Sequence, residues 1–269
     1  MDRDAHVAIA LRVLSALAFF GKRLPSIFVN SFIQGVSEPD NVHDLRAKPI
    51  RCKKGGYSVK YAPVKHHSVL EVKPLIDYYL DLALYLYSNG KLFDAGRALG
   101  RAVHYAQDAV LKRTKMLILD VHESLERKVN HLARYELNRF LERCIPKELD
   151  RDGLYIYRKF LKPSSRAEDV VCRAISTTYA LLYEFLRDAD RWSSKSIRRR
   201  CRLIEVLRKA LALVLAIAIL WLLAKGLYIA IPLIAIPSLA VTVYRPRIYI
   251  YARRAGVSRP TVHGYRTAM

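Results

Sequence analysis

Between Ala210 and Tyr244 only one residue, Lys225, carries a charge. A run that apolar has two destinations, a buried helical pair in a soluble core or the hydrocarbon of a bilayer. The first part, ALALVLAIAILWLLA over Ala210–Ala224, rises about 1.5 Å per residue as a helix. It falls short of a core about 30 Å thick, and reaches it if Arg208 and Lys209 snorkel on their aliphatic stems. The second part, Leu227–Tyr244, has about the right length, with Pro232 and Pro237 tolerated as kinks. The pattern predicts a membrane hairpin with Lys225 at its far turn. Arg198, Arg199, Arg200, Arg202, Arg208 and Lys209 precede it, and Arg245, Arg247, Arg253 and Arg254 follow. Lys/Arg-rich flanks stay on the cytoplasmic side. The expected location is therefore the cell membrane, with the preceding domain and both termini cytoplasmic. Such flanks also suit anionic lipid headgroups.

The formal net charge is +22, from 46 Lys+Arg against 24 Asp+Glu. From Lys195 onward there is one acid, Glu205, so more than half of the excess lies around the most apolar segments. That distribution favours a phospholipid membrane as partner over nucleic acid, for which no aromatic stacking pattern is visible. Cys52, Cys144, Cys172 and Cys201 make no C-x-x-C and read as free thiols of a reducing compartment, with pairing left open. The N-terminal MDRDAHVAIALRVLSALAFF has the look of a signal peptide. Its early acids and Arg12 make a mature helix the better reading.

Apolar residues recur at helical spacing over Asp4–Phe20, Ser26–Gln34, Leu70–Ser88, Leu92–Lys112, Ile118–Cys144 and Ala167–Trp192. Gly21, Gly35, Asn89-Gly90 and Pro146 mark the ends. Asp40–His66 is irregular and basic, a loop with room for a short strand pair. Leu154–Leu161 is ambiguous. The expected organisation is an all-α domain over 1–194, a basic juxtamembrane helix and transmembrane hairpin over 195–245, and a basic tail over 246–269.

Two His-x-x-x-acid pairs fall on successive helices, His104 with Asp108 and His122 with Glu126. Residues four apart project from one helix face, and imidazole with carboxylate suits zinc. One such pair is commonly a surface ion pair, and Asp108 has Lys112 within reach. Two pairs on adjacent antiparallel helices could close on one cleft. His6, Asp40, and His66 or His67 are further donors, each weak alone: a helix-start residue, a turn former and a solvated pair.

In order, DAHVAIALRVL, GVSEPD, HH, AGRALGRAVHYAQD and HESLE resemble the zinc-dependent phospholipase C family, which shares its fold with the S1/P1 nucleases. The likeness covers about residues 4–135, and ALGRAVHYAQD is its most specific piece. It implies a multi-helix bundle holding two or three zinc ions in a cleft. By the same resemblance the ligands would be His6, Asp40, His67 (or else His66), His104, Asp108, His122 and Glu126. Asp108 would bridge two ions, and Asp40 would be the candidate general base. The implied reaction is hydrolysis of phospholipid phosphodiester bonds. Single-strand nuclease action, or a non-catalytic membrane role with a degenerate site, are the other readings. Two features depart from the family. Thr114 stands where a further histidine is usual, and the chain starts at Met1 where secreted members expose a metal-binding tryptophan.

Overall fold

The structure is a computed structural model, and it describes residues 1–19, 24–42, 44–51, 57–112, 121–147, 156–192, 195–224 and 265–266. The described chain is mostly helical. Its helices are α1 (Arg3–Phe19), α2 (Ser26–Ser37), α3 (Val69–Ser88), α4 (Leu92–Ala109), α5 (Val121–Tyr135), α6 (Leu137–Cys144), α7 (Ala167–Trp192) and α8 (Lys195–Ala224). Strands β1 (Leu45–Arg51) and β2 (Tyr57–Pro63) form an antiparallel hairpin between α2 and α3, and β3 (Tyr265–Arg266) pairs with the outer edge of β1. The strand pair thus appears inside the basic loop. The chain divides into two units, Met1–Ala189 with Pro260–Met269, and Asp190–Arg259.

In the first unit α4 is the central element. Every residue from Ala98 to Ala109 is buried. Its apolar positions, among them Leu99, Val103 and Ala106, pack into a core with Phe28 and Phe32 of α2, Leu75 and Leu80 of α3, and Phe185 of α7. The Phe28 and Phe185 rings stack at 5.4 Å. The other side of α4 is a polar stripe, Arg101, His104, Gln107 and Asp108. Such a stripe normally faces water. Here it is buried too, so each group in it must find a partner inside the protein.

α2 lies unusually close to α4. A β-carbon on Gly35 would collide with the backbone of Arg97, and one on Gly100 with the carbonyl of Phe32. Backbone meets backbone at these two points, and only glycine permits it. The contact brings the end of α2 and the turn after it, Glu38–Asp40, against the polar stripe.

Two expectations change. The single helix over 118–144 breaks at Glu136, whose φ of −118° and ψ of 8° leave the helical region. The break lets Leu137, Phe140 and Cys144 of α6 bury a separate face. The thiols are not all free either: Cys144 is disulfide-bonded to Cys172 in α7, with the two Cα atoms 5.1 Å apart. The end of α6 and the start of α7 are brought together by packing across 28 residues of chain, which spacing alone cannot reveal. Cys52 and the side chain of Cys201 lie outside the described residues. The ambiguous 154–161 segment contains a 3-10 turn at Ile156–Lys159.

In the second unit α8 is one continuous helix that joins the basic run to the first apolar run. Leu203, Val206, Leu207, Val214, Ile217 and Trp221 recur on one side of it and are all exposed. Among the described residues no helix is long and apolar enough to cross a membrane. The second arm of the expected hairpin, its Lys225 turn and the arginines after it lie outside the described residues.

The close approach of α2 and α4 makes Gly100→Ala a sharp test. It should cost about 2 kcal/mol by overpacking, read as a lower urea midpoint at unchanged slope. An unaltered midpoint would mean the helices are not in contact there.

Candidate metal centre

The polar stripe of α4 supplies His104 and Asp108 one helical turn apart. The turn after α2 supplies Asp40, and the turn before α3 supplies His66. One ligand-type atom from each of these four lies within 4.8 Å of all the others, and together they could hold a metal ion. His6 of α1 joins from the side, with Nε2 3.1 Å from Asp108 Oδ1.

Asp108 is the hub. Its Oδ1 faces the N-terminal nitrogen of Met1 and His6 Nε2, each at 3.1 Å. Its Oδ2 faces His66 Nδ1 at 3.2 Å and His104 Nε2 at 3.4 Å. The two oxygens thus look into two neighbouring donor groups. Burial works against ionisation of Asp108. The N-terminal ammonium, His6 and His104 overcome it and hold the carboxyl well below the usual range. His104 is fully buried, and burial pushes its pKa down, as does the neighbouring His6, against the pull of Asp108 and Asp40. The Met1 ammonium is opposed by burial too. Asp108 and Glu126, whose Oε1 lies 3.1 Å away, hold it charged.

Hydrogen bonds set the imidazole tautomers. Gln107 donates through Nε2 to Thr178 Oγ1 at 2.9 Å, which turns its Oε1 toward His6. His6 Nδ1–H donates to that oxygen at 2.6 Å. His104 Nδ1–H donates to the Val36 carbonyl at 2.9 Å. In the neutral rings both Nε2 atoms therefore carry bare lone pairs, and both point at carboxylate oxygens. His6 Nε2 is buried and makes no hydrogen bond despite its 3.1 Å approach to Asp108. In a neutral ring of this tautomer the lone pair meets a carboxylate and is repelled; a proton on Nε2, as in the pairing that holds Asp108 low, or a metal cation between the two reverses the sign. Metal-ligating histidines are held in this way, with the far nitrogen donating to a carbonyl or amide oxygen.

The donor set differs from the expected one at specific places. His66, not His67, joins the group, and His67 Nδ1–H instead donates to the backbone carbonyl of Asp108 at 3.1 Å. Adjacent residues in a turn point apart, so only one of them can face the cluster. Asp40 is present, with Oδ1 3.5 Å from His104 Nε2. Glu126 reaches the Met1 nitrogen beside Asp108. The His122 side chain and Thr114 lie outside the described residues.

A second polar network, with no motif to announce it, braces the site. Asp44 is buried and accepts hydrogen bonds from Tyr79 Oη at 2.8 Å, Tyr105 Oη at 2.6 Å and Arg101 Nη1 at 3.2 Å. Arg101 also donates to Glu38 Oε2 at 2.8 Å, and Arg97 ion-pairs with the same carboxylate. The Tyr105 ring meets His66 edge-on at 4.9 Å. The one hint in sequence is that Arg101 lies one turn before His104.

The chain matches no protein-family model, no curated protein and no solved structure.

Burial opposes the charge on Glu38, but hydrogen bonds from Arg97 and Arg101 hold its pKa down at about 2, against an ordinary 4.5. A depressed carboxyl stabilises the fold above its unfolded pKa and loses that contribution as pH falls through the folded one. Stability should therefore drop as pH falls from about 4.5 towards 2. In metal-free urea titrations, Glu38→Gln should remove about 1–2 kcal/mol of that drop, a figure discounted for the solvent around Arg97. Identical acid profiles for the two proteins would contradict this.

Proposed function

We propose that the chain is a membrane-anchored, zinc-dependent phosphodiesterase of the phospholipase C type. The observation that carries this reading is the set of imidazole nitrogens that His6, His66 and His104 turn toward the buried carboxylate of Asp108. Such a nitrogen-and-carboxylate set suits zinc over calcium or magnesium, which prefer all-oxygen sites. His104, Asp108, Asp40 and His66 would hold one ion, and His6 and Glu126 are donors for a second across Asp108. Zinc bound there would supply Lewis acidity for a phosphodiester.

The residues of the chain do the rest. The side chains of His6 and His104 are fully buried and that of Asp108 nearly so, whereas Asp40 is 36 % exposed, Glu126 31 % and His66 15 %. Substrate would therefore approach over the Asp40–His66–Glu126 edge. Asp40, half in water and beside His104, is the group there best placed to take a proton from an attacking water. Gln107 and the Val36 carbonyl keep the imidazoles aimed inward. The Asp44 network holds the Asp40 turn and His66 against α4.

Membrane attachment rests on α8 and on the apolar run after it. The exposed stripe from Leu203 to Trp221 follows directly on four arginines. That arrangement suits a helix lying against or entering a bilayer with anionic headgroups. Lys/Arg-rich flanks favour a cytoplasmic domain. The Cys144–Cys172 bond would then have to persist in a reducing compartment, as disulfides do in some thermophile proteins.

Purified full-length chain in nanodiscs should bind zinc by elemental analysis and release phosphorylated headgroup from phospholipid. Asp108→Asn should reduce turnover by more than about 100-fold with the fold intact. Gln107→Met should weaken zinc affinity about 10–100-fold, because it frees the His6 ring without touching the metal. Cleavage of single-stranded DNA without lipid turnover would replace the lipid reading by the nuclease one. A protein with no bound zinc would leave a non-catalytic membrane role.

A further inference from the structure

The turn over residues 65–68, closed by the Ser68 amide on the Lys65 carbonyl at 3.0 Å, leads into α3 with two histidines side by side. Both close on Asp108. His66 Nδ1 stands 3.2 Å from its carboxylate oxygen Oδ2. His67 Nδ1–H donates to the backbone carbonyl of the same residue at 3.1 Å. A carbonyl only accepts, so this nitrogen carries the proton. The histidine doublet therefore holds one residue at two points, side chain and main chain.

Helix geometry leaves the main-chain point open. Asp108 is the last residue but one of α4, and the carbonyls of a last helical turn lack an intrahelical partner. That of Asp108 accepts from the Leu111 amide at 3.1 Å and, with its second lone pair, from His67. The turn has other ties. The Val64 amide donates to the Asp44 carbonyl at 2.9 Å, and the Lys65 amide to Glu71 Oε2 at 3.2 Å. These set the turn against the base of the hairpin and against α3. The His67 bond crosses directly to α4, the helix that carries His104 and Asp108. It does so at the residue next to the one whose nitrogen has to meet them.

We infer that His67 is a positioning residue of the metal centre: its hydrogen bond to the Asp108 carbonyl fixes the turn so that His66 presents a nitrogen to the site. This rests on the metal reading above. His104 and Asp108 share a helix face and need no such device. His66 arrives on a turn, where a shift of about 1 Å is enough to loosen a donor, and the bond made by its neighbour removes that freedom. The two histidines divide the work. His66 is a donor for the ion, and His67 holds the main chain and acts on the ion through His66.

The test is zinc titration of the full chain in nanodiscs against a competing chromophoric chelator, with urea midpoints of the metal-free proteins to report folding. His67→Phe keeps a ring and loses the donor, and should lower zinc affinity about tenfold. His67→Asn places an amide N–H where the imidazole had Nδ1–H, and should return affinity to within about threefold of wild type. In a His66→Ala background the His67→Phe change should cost less than about twofold, because the residue through which it acts is gone. An asparagine variant as weak as the phenylalanine one would overturn the proposal, since the ring itself would then be the donor. So would an undiminished loss in the His66→Ala background, or wild-type affinity in His67→Phe. Wild type that takes up no zinc would overturn the metal reading and this one together. Zinc bound without lipid turnover would sink the enzymatic reading alone.

Discussion

Asp108 is a carboxylate taken almost entirely out of water; burial opposes its charge, and the N-terminal ammonium with His6 and His104 holds its carboxyl low, while His66 approaches the second oxygen. Burying a charge on those terms is costly unless every neighbour is aimed at it. Much of the bundle follows from that demand. α1 brings His6 and the chain's N-terminal nitrogen, the turn before α3 brings His66, and α5 brings Glu126 to the same ammonium. Each comes from a different part of the chain, so the helices cannot slide past one another without stranding a buried charge.

The close contact of α2 and α4 serves the same end. Glycine at 35 and 100 lets two backbones touch, and so the Val36 carbonyl can hold the Nδ1 proton of His104. One turn later the chain delivers Glu38 to Arg97 and Arg101, and Asp40 to His104. Packing and chemistry here share the same atoms. A wider helix pair would keep the apolar core but lose the tautomer that points His104 inward. The Asp44 network adds a second brace, made of tyrosines and one arginine.

Periodicity made most of the helices legible. Ala167–Trp192 reads directly as α7, and α1 and α3 start and stop within a residue of their apolar patterns. His104 and Asp108 were visible as donors because i and i+4 share a face whatever the helix packs against. Other features depend on partners far along the chain. The choice of His66 over His67, the role of Gln107, the Asp44 brace and the Cys144–Cys172 bond join residues between 28 and 101 positions apart. The break at Glu136 left no mark either, since Leu137 and Phe140 continue a helical pattern and only the face they bury has changed.

By itself the sequence determined a mostly helical body, a polar stripe of metal-type donors on one helix, and a strongly basic charge balance. These are local or compositional properties, set by the 3.6-residue period and by counting. Only the tertiary structure decided that the polar stripe lies inside the bundle, which side chains meet it, and which nitrogen of each ring faces inward. Burial turns a common pair of polar residues into a site, because inside a protein every lone pair and proton must be matched by a partner brought from elsewhere.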